Sequence, residues 1–211
     1  MYEYIVFDLD GTISDPKEGI VKSFNHSLVL NDFEEVESKQ IEKLIGPPLD
    51  YAFEQITGTK DKNRINKLVN SYRKRYAEIG YAENIIYKDM ASVLTKIHRN
   101  SNIKMGVCTS KREDFAIKIL ELFEIKNLFA FINGGDIGIQ KWQQIKTLIS
   151  SGTISENSIM VGDRAVDLVA AHKNGISSAG VLWGYGSESE LTTEKPKYIF
   201  SQPQELVEHF A

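Results

Sequence analysis

Nine residues near the amino terminus decide the fold of this chain: Tyr4-Ile5-Val6-Phe7-Asp8-Leu9-Asp10-Gly11-Thr12. The first four are mostly apolar and too few for a helix, which predicts a short β-strand buried on both faces. The last five begin with two carboxylates and include a glycine, a composition typical of a turn. The sequence therefore predicts a core strand that ends in a polar loop.

Four further apolar runs and three amphipathic stretches follow in alternation along the rest of the chain. The predicted strands are Tyr4–Phe7, Ile103–Cys108, Ala130–Ile132, Ser158–Val161 and Ala179–Leu182. The predicted helices between the later strands are Phe115–Phe123, Lys141–Ile149 and Asp167–Asn174. Alternating strands and helices favour an α/β fold, with a mostly parallel, Rossmann-like sheet covered by helices on both faces.

The interval from Pro16 to Tyr87 interrupts this alternation. It contains four helical patterns and no convincing strand: Glu18–Leu30, Ser38–Leu44, Leu49–Ile56 and Asn63–Ile79. Gly46-Pro47-Pro48 separates two of them, because proline cannot continue a helix and restricts the residue before it. We expect an all-helical cap inserted after the first strand. The predicted domains are an α/β core, 1–15 with 88–211, and a helical cap, 16–87.

Composition and charge limit the classes of function. The formal net charge of −4 provides no basic surface that would attract nucleic acid. Cys108 is the only cysteine, so the chain has no internal disulfide and a reducing compartment is expected. The apolar runs are too short to cross a membrane and no signal peptide is visible. We expect a cytoplasmic protein that binds neither membranes nor nucleic acid, as a monomer or homodimer.

Polar residues follow three of the predicted strands at the point where each strand ends. They are Asp8 to Thr12 after the first strand, Thr109-Ser110-Lys111 after the second, and Gly162-Asp163-Arg164 after the fourth. In open parallel sheets the ligand crevice lies at the carboxyl ends of the strands. These groups are therefore expected to meet, and Lys141, at the start of a predicted helix, can join them.

The chemistry follows from three carboxylates, those of Asp8, Asp10 and Asp163, lying close together. Such a cluster repels itself unless a hard divalent cation binds, and Mg²⁺ prefers oxygen ligands. An ammonium from Lys141 and the Thr109 hydroxyl could hold a phosphoryl group, whose equatorial oxygens carry charge during transfer. One carboxylate could attack phosphorus while a second transfers a proton.

The same residues resemble the four ordered motifs of the haloacid dehalogenase superfamily: Asp8-Leu9-Asp10-Gly11-Thr12, Thr109, Lys141, and Gly162-Asp163-Arg164-Ala165-Val166-Asp167. The helical insert after the first motif is similar to the branch of this superfamily with a small helical cap. Further stretches look like the phosphoglycolate-phosphatase-like group, namely Ile45 to Leu49, Tyr72-Arg73 with Tyr76, Glu83-Asn84 with Tyr87, and Val181-Leu182-Trp183-Gly184-Tyr185-Gly186-Ser187.

The resemblance implies a role for each matching residue. Asp8 would be the nucleophile and a metal ligand, and Asp10 the general acid and base, with its backbone carbonyl on the metal. The phosphate-binding residues would be Thr109, Ser110, Lys141 and Gly11, and Asp163 and Asp167 would complete a Mg²⁺ site. The implied function is hydrolysis of a small phosphorylated metabolite, phosphoglycolate-like or related, through an aspartyl-phosphate.

Several alternatives remain open at this point. A phosphomutase or an inorganic pyrophosphatase could use the same groups, and a module that binds phosphorylated metabolites without turnover is a different class. Lys111 is a second possible source of the phosphate-binding ammonium. Asp167 could serve only to cap the first turn of its helix.

Overall fold

A computed structural model describes residues 2–45, 49–100, 102–136 and 138–211. The chain forms two compact units: a core unit of Met1–Asp15 with Ile86–Ala211, and a helical unit of Pro16–Ile85. The predicted break at Gly46-Pro47-Pro48 lies outside the described residues. Within the described ranges, no helix has the length and apolar character needed to cross a bilayer.

Strands and helices are numbered here in chain order. The strands are β1 (Tyr4–Phe7), β2 (Ser14–Asp15), β3 (Ile85–Ile86), β4 (Lys104–Cys108), β5 (Phe131–Asn133), β6 (Ser158–Gly162), β7 (Ser177–Val181) and β8 (Tyr198–Phe200). The α-helices are α1 (Lys17–Leu30), α2 (Ser38–Glu42), α3 (Leu49–Thr57), α4 (Lys62–Glu78), α5 (Met90–Asn100), α6 (Glu113–Leu122), α7 (Lys141–Ser150), α8 (Ala165–Lys173), α9 (Glu188–Thr193) and α10 (Gln204–Phe210).

Six strands of the core unit form one parallel sheet in the order β5-β4-β1-β6-β7-β8. The strand order reverses direction at β1, which lies between β4 and β6. Phe7 at the end of β1 is in register with Val107 of β4 and Val161 of β6. This is the strand order of a doubly wound sheet, in which ligands bind where the order reverses. The predicted α/β fold with a parallel sheet is confirmed.

Burial of β1 explains why its sequence is apolar at consecutive positions. Ile5, Val6 and Phe7 point alternately to the two faces of the sheet, yet none is exposed to solvent. On one face, helices α7 and α8 contribute Ile145 and Ala171 to a cluster with Val6. Because both faces are covered, every position of the strand favours an apolar side chain.

The helical unit has an aromatic interior of its own. The Phe24 ring lies 4.5 Å from that of Phe53 and 5.0 Å from that of Tyr72, measured between centroids. Tyr76 stacks on Tyr72 one turn further along α4. The Asp61 carboxylate caps the start of α4 by accepting hydrogen bonds from two backbone amides. The helices of this unit are therefore explained by a helix cap and by aromatic residues at helical spacing.

The sequence-based prediction was incomplete in several places. Helices α5, α9 and α10 and strands β2, β3 and β8 were not predicted, and β3 places a short strand within the interval 16–87 that was expected to be wholly helical. β8 is a three-residue apolar strand at the edge of the sheet, as short as the predicted β5, and it was overlooked. β2 and β3 have two residues each and form a separate two-stranded sheet, so only their pairing reveals them. The predicted boundaries agree with the observed ones to within two residues, and those of β1 are unchanged.

Candidate active site

Lys141 joins two carboxylates that come from different strand ends. Its Nζ atom lies 2.9 Å from Oδ1 of Asp8, which follows β1, and donates a hydrogen bond to Oδ1 of Asp167 in the first turn of α8. The Asp8 contact is an ion pair without hydrogen-bond geometry. Lys141 is the first residue of α7 and is 2% exposed. The structure therefore places three of the predicted site residues in one buried ionic cluster.

Asp163 follows β6, the strand that pairs with β1 on the side away from β4. One carboxylate oxygen accepts a hydrogen bond of 3.2 Å from the Thr12 hydroxyl, and the other accepts one of 2.8 Å from the backbone N–H of Tyr185. Gly11 approaches so closely that an added Cβ would lie 2.2 Å from Asp163 Oδ2. The φ of Gly11 is +85°, a region that favours glycine. Gly11 is thus required where the first loop passes the Asp163 carboxylate.

Oxygens of Asp8, Asp163 and Asp167 lie within 4.8 Å of one another, a separation that could hold a metal ion. Both oxygens of Asp167 already have partners, since Oδ1 accepts from Lys141 and Oδ2 accepts a 3.1 Å bond from the N–H of Arg164. Asp167 therefore does cap its helix, as the alternative reading held, and it also orients Lys141. Both oxygens of Asp163 also accept hydrogen bonds, so existing partners do not rank Asp163 above Asp167 as a direct ligand.

Burial shapes the ionisation of this cluster. Burial, and then the negative charges of Asp167 and Asp8, raise the pKa of Asp163 to about 7. Burial also raises the pKa of Asp167 to about 6, although the Lys141 ammonium opposes the shift. Burial by itself lowers the pKa of Lys141, but the Asp167 and Asp8 carboxylates raise it above its ordinary value. The cluster therefore favours any cation that can replace a proton.

Asp10 has a cation of its own. The Nζ atom of Lys111 lies 2.8 Å from Asp10 Oδ2, and the Lys111 side chain is buried. Burial raises the pKa of Asp10 and the Lys111 ammonium opposes the shift. Asp10 Oδ1 is buried without a hydrogen-bond partner among the described residues. The two lysines contact different carboxylates, Lys111 that of Asp10 and Lys141 those of Asp8 and Asp167.

The charges of the site do not balance without a further cation. The carboxylates of Asp8, Asp10, Asp163 and Asp167 carry four negative charges when ionised, and Lys111 and Lys141 supply two positive ones. Two negative charges remain, which one divalent cation would neutralise. The oxygen-rich donor set and its residual charge fit Mg²⁺.

Thr109 is held at the end of β4 by a second side chain of α7. Gln144 Nε2 donates to the Thr109 carbonyl oxygen at 3.1 Å and to Asn133 Oδ1 at 2.9 Å. The Thr109 hydroxyl accepts a bond from the Lys111 amide and keeps its own proton available for a ligand. Ser110 is exposed. Gln144 lies one turn after Lys141, so α7 contacts two strand ends at once.

Several residues that build the site were not singled out from the sequence. Thr12 and Tyr185 hold Asp163, and Gln144 holds Thr109. Thr12 and Tyr185 lie in quoted motifs, but nothing in those motifs predicts which atom each one contacts. Gln144 could have been found from its position three residues after Lys141, which places both on the same face of a helix.

Comparison with known proteins identifies the family to which the chain belongs. The profile of the haloacid dehalogenase-like hydrolases matches residues 5–181. The chain belongs to that family. The match includes every predicted site residue, and it confirms the resemblance seen in the motifs.

Individual relatives extend this family assignment over nearly the whole chain. The chain is 35% identical to a 5'-nucleotidase of Pseudomonas aeruginosa, with 93% of this chain and 90% of that protein covered. It is 30% identical to a phosphoglycolate phosphatase of Aquifex aeolicus, with 96% and 94% covered. A solved haloacid dehalogenase-like hydrolase of Streptococcus pneumoniae superposes with a TM-score of 0.90 at 25% identity, covering 100% and 99%. The chain is a phosphatase of the haloacid dehalogenase-like family.

Proposed function

We propose that this phosphatase depends on magnesium and hydrolyses a small phosphomonoester through a covalent aspartyl-phosphate on Asp8. The observation that carries the proposal is the placement of Asp8 where the strand order reverses, 2.9 Å from a buried ammonium and beside Asp163. A carboxylate can act as a nucleophile in covalent catalysis, and a neighbouring cation and acid can orient it and protonate the leaving oxygen. Lys141 and Asp10 are available for these two roles.

The residues that would hold the ion are Asp8, Asp163 and the backbone carbonyl of Asp10, with Asp167 acting through water. When bound, Mg²⁺ supplies positive charge that brings the phosphoryl group against Asp8 and stabilises its equatorial oxygens. Lys141 and the Thr109 hydroxyl would bind the remaining phosphoryl oxygens. Each of these groups is buried and held by neighbours, so little rearrangement is needed during transfer.

In the first step, a carboxylate oxygen of Asp8 attacks phosphorus and the bond from phosphorus to the leaving oxygen breaks. Asp10 gives its proton to that leaving oxygen. The raised pKa of Asp10 supports this role, because the carboxyl group retains a proton more readily than an exposed aspartate. The alcohol product departs, and Asp8 carries the phosphoryl group.

In the second step, the Asp10 carboxylate accepts a proton from water while the water oxygen attacks phosphorus. The bond between phosphorus and the Asp8 oxygen breaks, so inorganic phosphate is released and the Asp8 carboxylate is restored. Asp10 is protonated again, ready for the next turnover. Lys111, 2.8 Å from Asp10, would keep the carboxylate in place in both steps.

The proposed substrate class rests on the relatives of the chain. A phosphoglycolate-like or related small metabolite would be expected, since one relative is a phosphoglycolate phosphatase and another a 5'-nucleotidase. Phosphate release from a panel of such esters, with and without magnesium, would rank the candidates. Isomerised sugar phosphate without phosphate release would favour a phosphomutase, and preference for inorganic pyrophosphate would favour a pyrophosphatase.

Replacement of the nucleophile is the direct test of mechanism. Asp8→Asn should lower kcat for an aryl phosphate by at least about 1000-fold, because an amide cannot form the covalent intermediate. Asp114→Asn, at an exposed carboxylate paired with Arg112, is the matched control and should retain activity. Quenching the wild-type protein during turnover and reducing it with borohydride should convert Asp8 to homoserine, as read by mass spectrometry. Undiminished turnover by the Asp8→Asn variant would refute the proposal.

A further inference from the structure

We infer that the loop Trp183-Gly184-Tyr185-Gly186, which follows β7, is a positioning device that sets the orientation of the Asp163 carboxylate toward a bound cation. This inference rests on the proposed function, in which Asp163 is a metal ligand. The loop belongs to the core unit. It follows β7, which pairs with β6, the strand that precedes Asp163. We call it the 183–186 loop.

The first contact is made by the backbone of the loop. The N–H of Tyr185 donates to Asp163 Oδ2 at 2.8 Å, while Thr12 Oγ1 donates to Oδ1 at 3.2 Å. The two oxygens are therefore held separately by two different loops. Each oxygen keeps a lone-pair position for a further ligand. Rotation of the carboxylate would break at least one of these bonds.

The second contact links the two loops to each other. Trp183 Nε1 donates a hydrogen bond of 2.9 Å to the backbone carbonyl of Thr12. Thr12 is fully buried and is the residue whose hydroxyl holds Asp163. The indole therefore fixes the donor on the Oδ1 side of the carboxylate, while the next residues of the same loop fix the donor on the Oδ2 side.

A third contact anchors Tyr185 itself. Its hydroxyl donates to Oδ1 of Asp15, at the end of β2. Burial, and then the Asp15 carboxylate, raise the pKa of Tyr185 above its ordinary value, so the hydroxyl remains a donor. Since the side chain is tied to Asp15, the Tyr185 backbone N–H is held in place against Asp163.

The loop also approaches too closely to admit a side chain at Gly184. An added Cβ would lie 2.3 Å from the carbonyl oxygen of Gly11 and 2.4 Å from Cβ of Asp163. Real Cβ atoms do not come this near to other heavy atoms, so the loop and the Asp163 backbone would have to move apart. Together these contacts fix the position of the Asp163 backbone and the orientation of its carboxylate, as outer-sphere partners do in metal sites.

Removing the anchors should weaken cation binding. Tyr185→Phe deletes the bond to Asp15, and Trp183→Phe deletes the bond to Thr12. In each case we expect the Kd for Mn²⁺, used as a probe for the Mg²⁺ site, to rise about 10-fold. Electron paramagnetic resonance of free Mn²⁺ measures this Kd without any substrate. The matched controls, Tyr198→Phe in β8 and Trp142→Phe in α7, should stay within about twofold of the wild-type value.

Tryptophan fluorescence provides an independent reading of the loop. The chain has two tryptophans, so Trp142→Phe leaves Trp183 as the only one. Addition of Mg²⁺ to this variant should change the Trp183 emission with a saturating dependence on concentration. Adding Tyr185→Phe to that background should move the midpoint to higher Mg²⁺ by about the same factor as the Mn²⁺ Kd.

The outcomes separate the inference from the proposed function. A purely structural loop would lower the melting temperature of the Tyr185→Phe protein without moving the Mn²⁺ Kd. A Kd in that variant within twofold of the wild-type value overturns the inference, while wild-type binding leaves the proposed function standing. If the wild-type protein itself bound no Mn²⁺ or Mg²⁺, the proposed function would fail first.

Discussion

Among the described residues, the core unit buries charged side chains and the helical unit does not. In the core unit, Lys141, Asp163 and Asp167 are each at most 2% exposed. In the helical unit, the ion pair of Arg75 with Glu83 has side chains 13% and 21% exposed. No charged side chain is buried among the described residues of the helical unit, whose interior is aromatic and aliphatic.

This difference in burial separates the charges that the proposed mechanism uses from the ion pairs that it does not use. Removing ions from water costs several kcal/mol each, so a buried ionic cluster contributes little to stability by itself. The helical unit avoids that cost by leaving its ion pairs in contact with solvent. The core unit accepts it at the strand ends, where the proposed mechanism would use the same buried charges to bind a cation and a phosphoryl group. Breaking ion pairs in the two units should therefore have very different effects.

The largest effect is expected for Lys141→Met. Removal of the ammonium leaves Asp8 and Asp167 buried without their partner, which should lower the free energy of unfolding by about 3–5 kcal/mol. Urea unfolding in the presence of EDTA measures this change. The double variant Lys141→Met/Asp167→Asn should recover part of the loss, because one buried charge is removed with its partner. A double variant as unstable as the single one would contradict the account.

An intermediate effect is expected for the pH dependence of the metal-free protein. The pKa of Asp163 is raised from an ordinary 3.8 to about 7, so the folded state binds more protons than the unfolded state between these values. The contribution of Asp163 to stability is therefore present below pH 4 and is lost as the pH rises toward 7, with a slope of at most about 1.4 kcal/mol per pH unit.

Asp163→Asn provides the comparison, since an amide does not titrate. The difference in unfolding free energy between the wild-type protein and this variant, in EDTA, should become less favourable to the wild type as the pH rises from 4 to 7. Saturating Mg²⁺ should reverse that trend, because the cation stabilises the ionised folded state. If the stability of the wild-type protein relative to Asp163→Asn increased with pH in EDTA, the pKa of Asp163 would not be raised by burial.

A smaller effect is expected for Arg75→Ala in the helical unit. Arg75 donates to both oxygens of Glu83 and to the Ser23 hydroxyl, and its loss should cost about 1 kcal/mol in urea unfolding. Lys126→Ala, which breaks a more exposed pair with Glu121, is the matched control and should cost less than about 0.5 kcal/mol. A loss from Arg75→Ala as large as that from Lys141→Met would erase the contrast between the units.

The same helical-unit pair should respond to acid in the opposite sense from Asp163. The hydrogen bond from Arg75 lowers the pKa of Glu83 below its ordinary 4.5. Its contribution to stability is therefore present above pH 4.5 and is lost as the pH falls through the lowered value. Thermal unfolding should show a difference in melting temperature between Glu83→Gln and the wild-type protein. That difference should become smaller only in the acidic range.

Four of the five predicted strands, β1, β4, β6 and β7, were found because most of their residues are buried, so their own sequences carry the signal, while β5 is a half-buried edge strand. β8, Tyr198-Ile199-Phe200, is an apolar run as short as β5 and also lies at an edge of the sheet, so its sequence carried a comparable signal that was overlooked. Helix α5 did carry a signal, with Met90, Leu94 and Ile97 buried at helical spacing. Its omission was an error of interpretation.

By itself, the sequence determined the chemistry that is available: carboxylates, an ammonium and a hydroxyl at the ends of apolar strands, with a long helical insert after the first. The sequence also predicted that these groups meet, and only the tertiary structure decided which of them contact each other. The strand order places Asp8 beside Asp163, hydrogen bonds pair Lys141 with Asp167 and Tyr185 with Asp163, and an ion pair joins Lys111 to Asp10. The reason is physical, since strand composition reports burial locally, whereas partners far apart in the chain are chosen by packing.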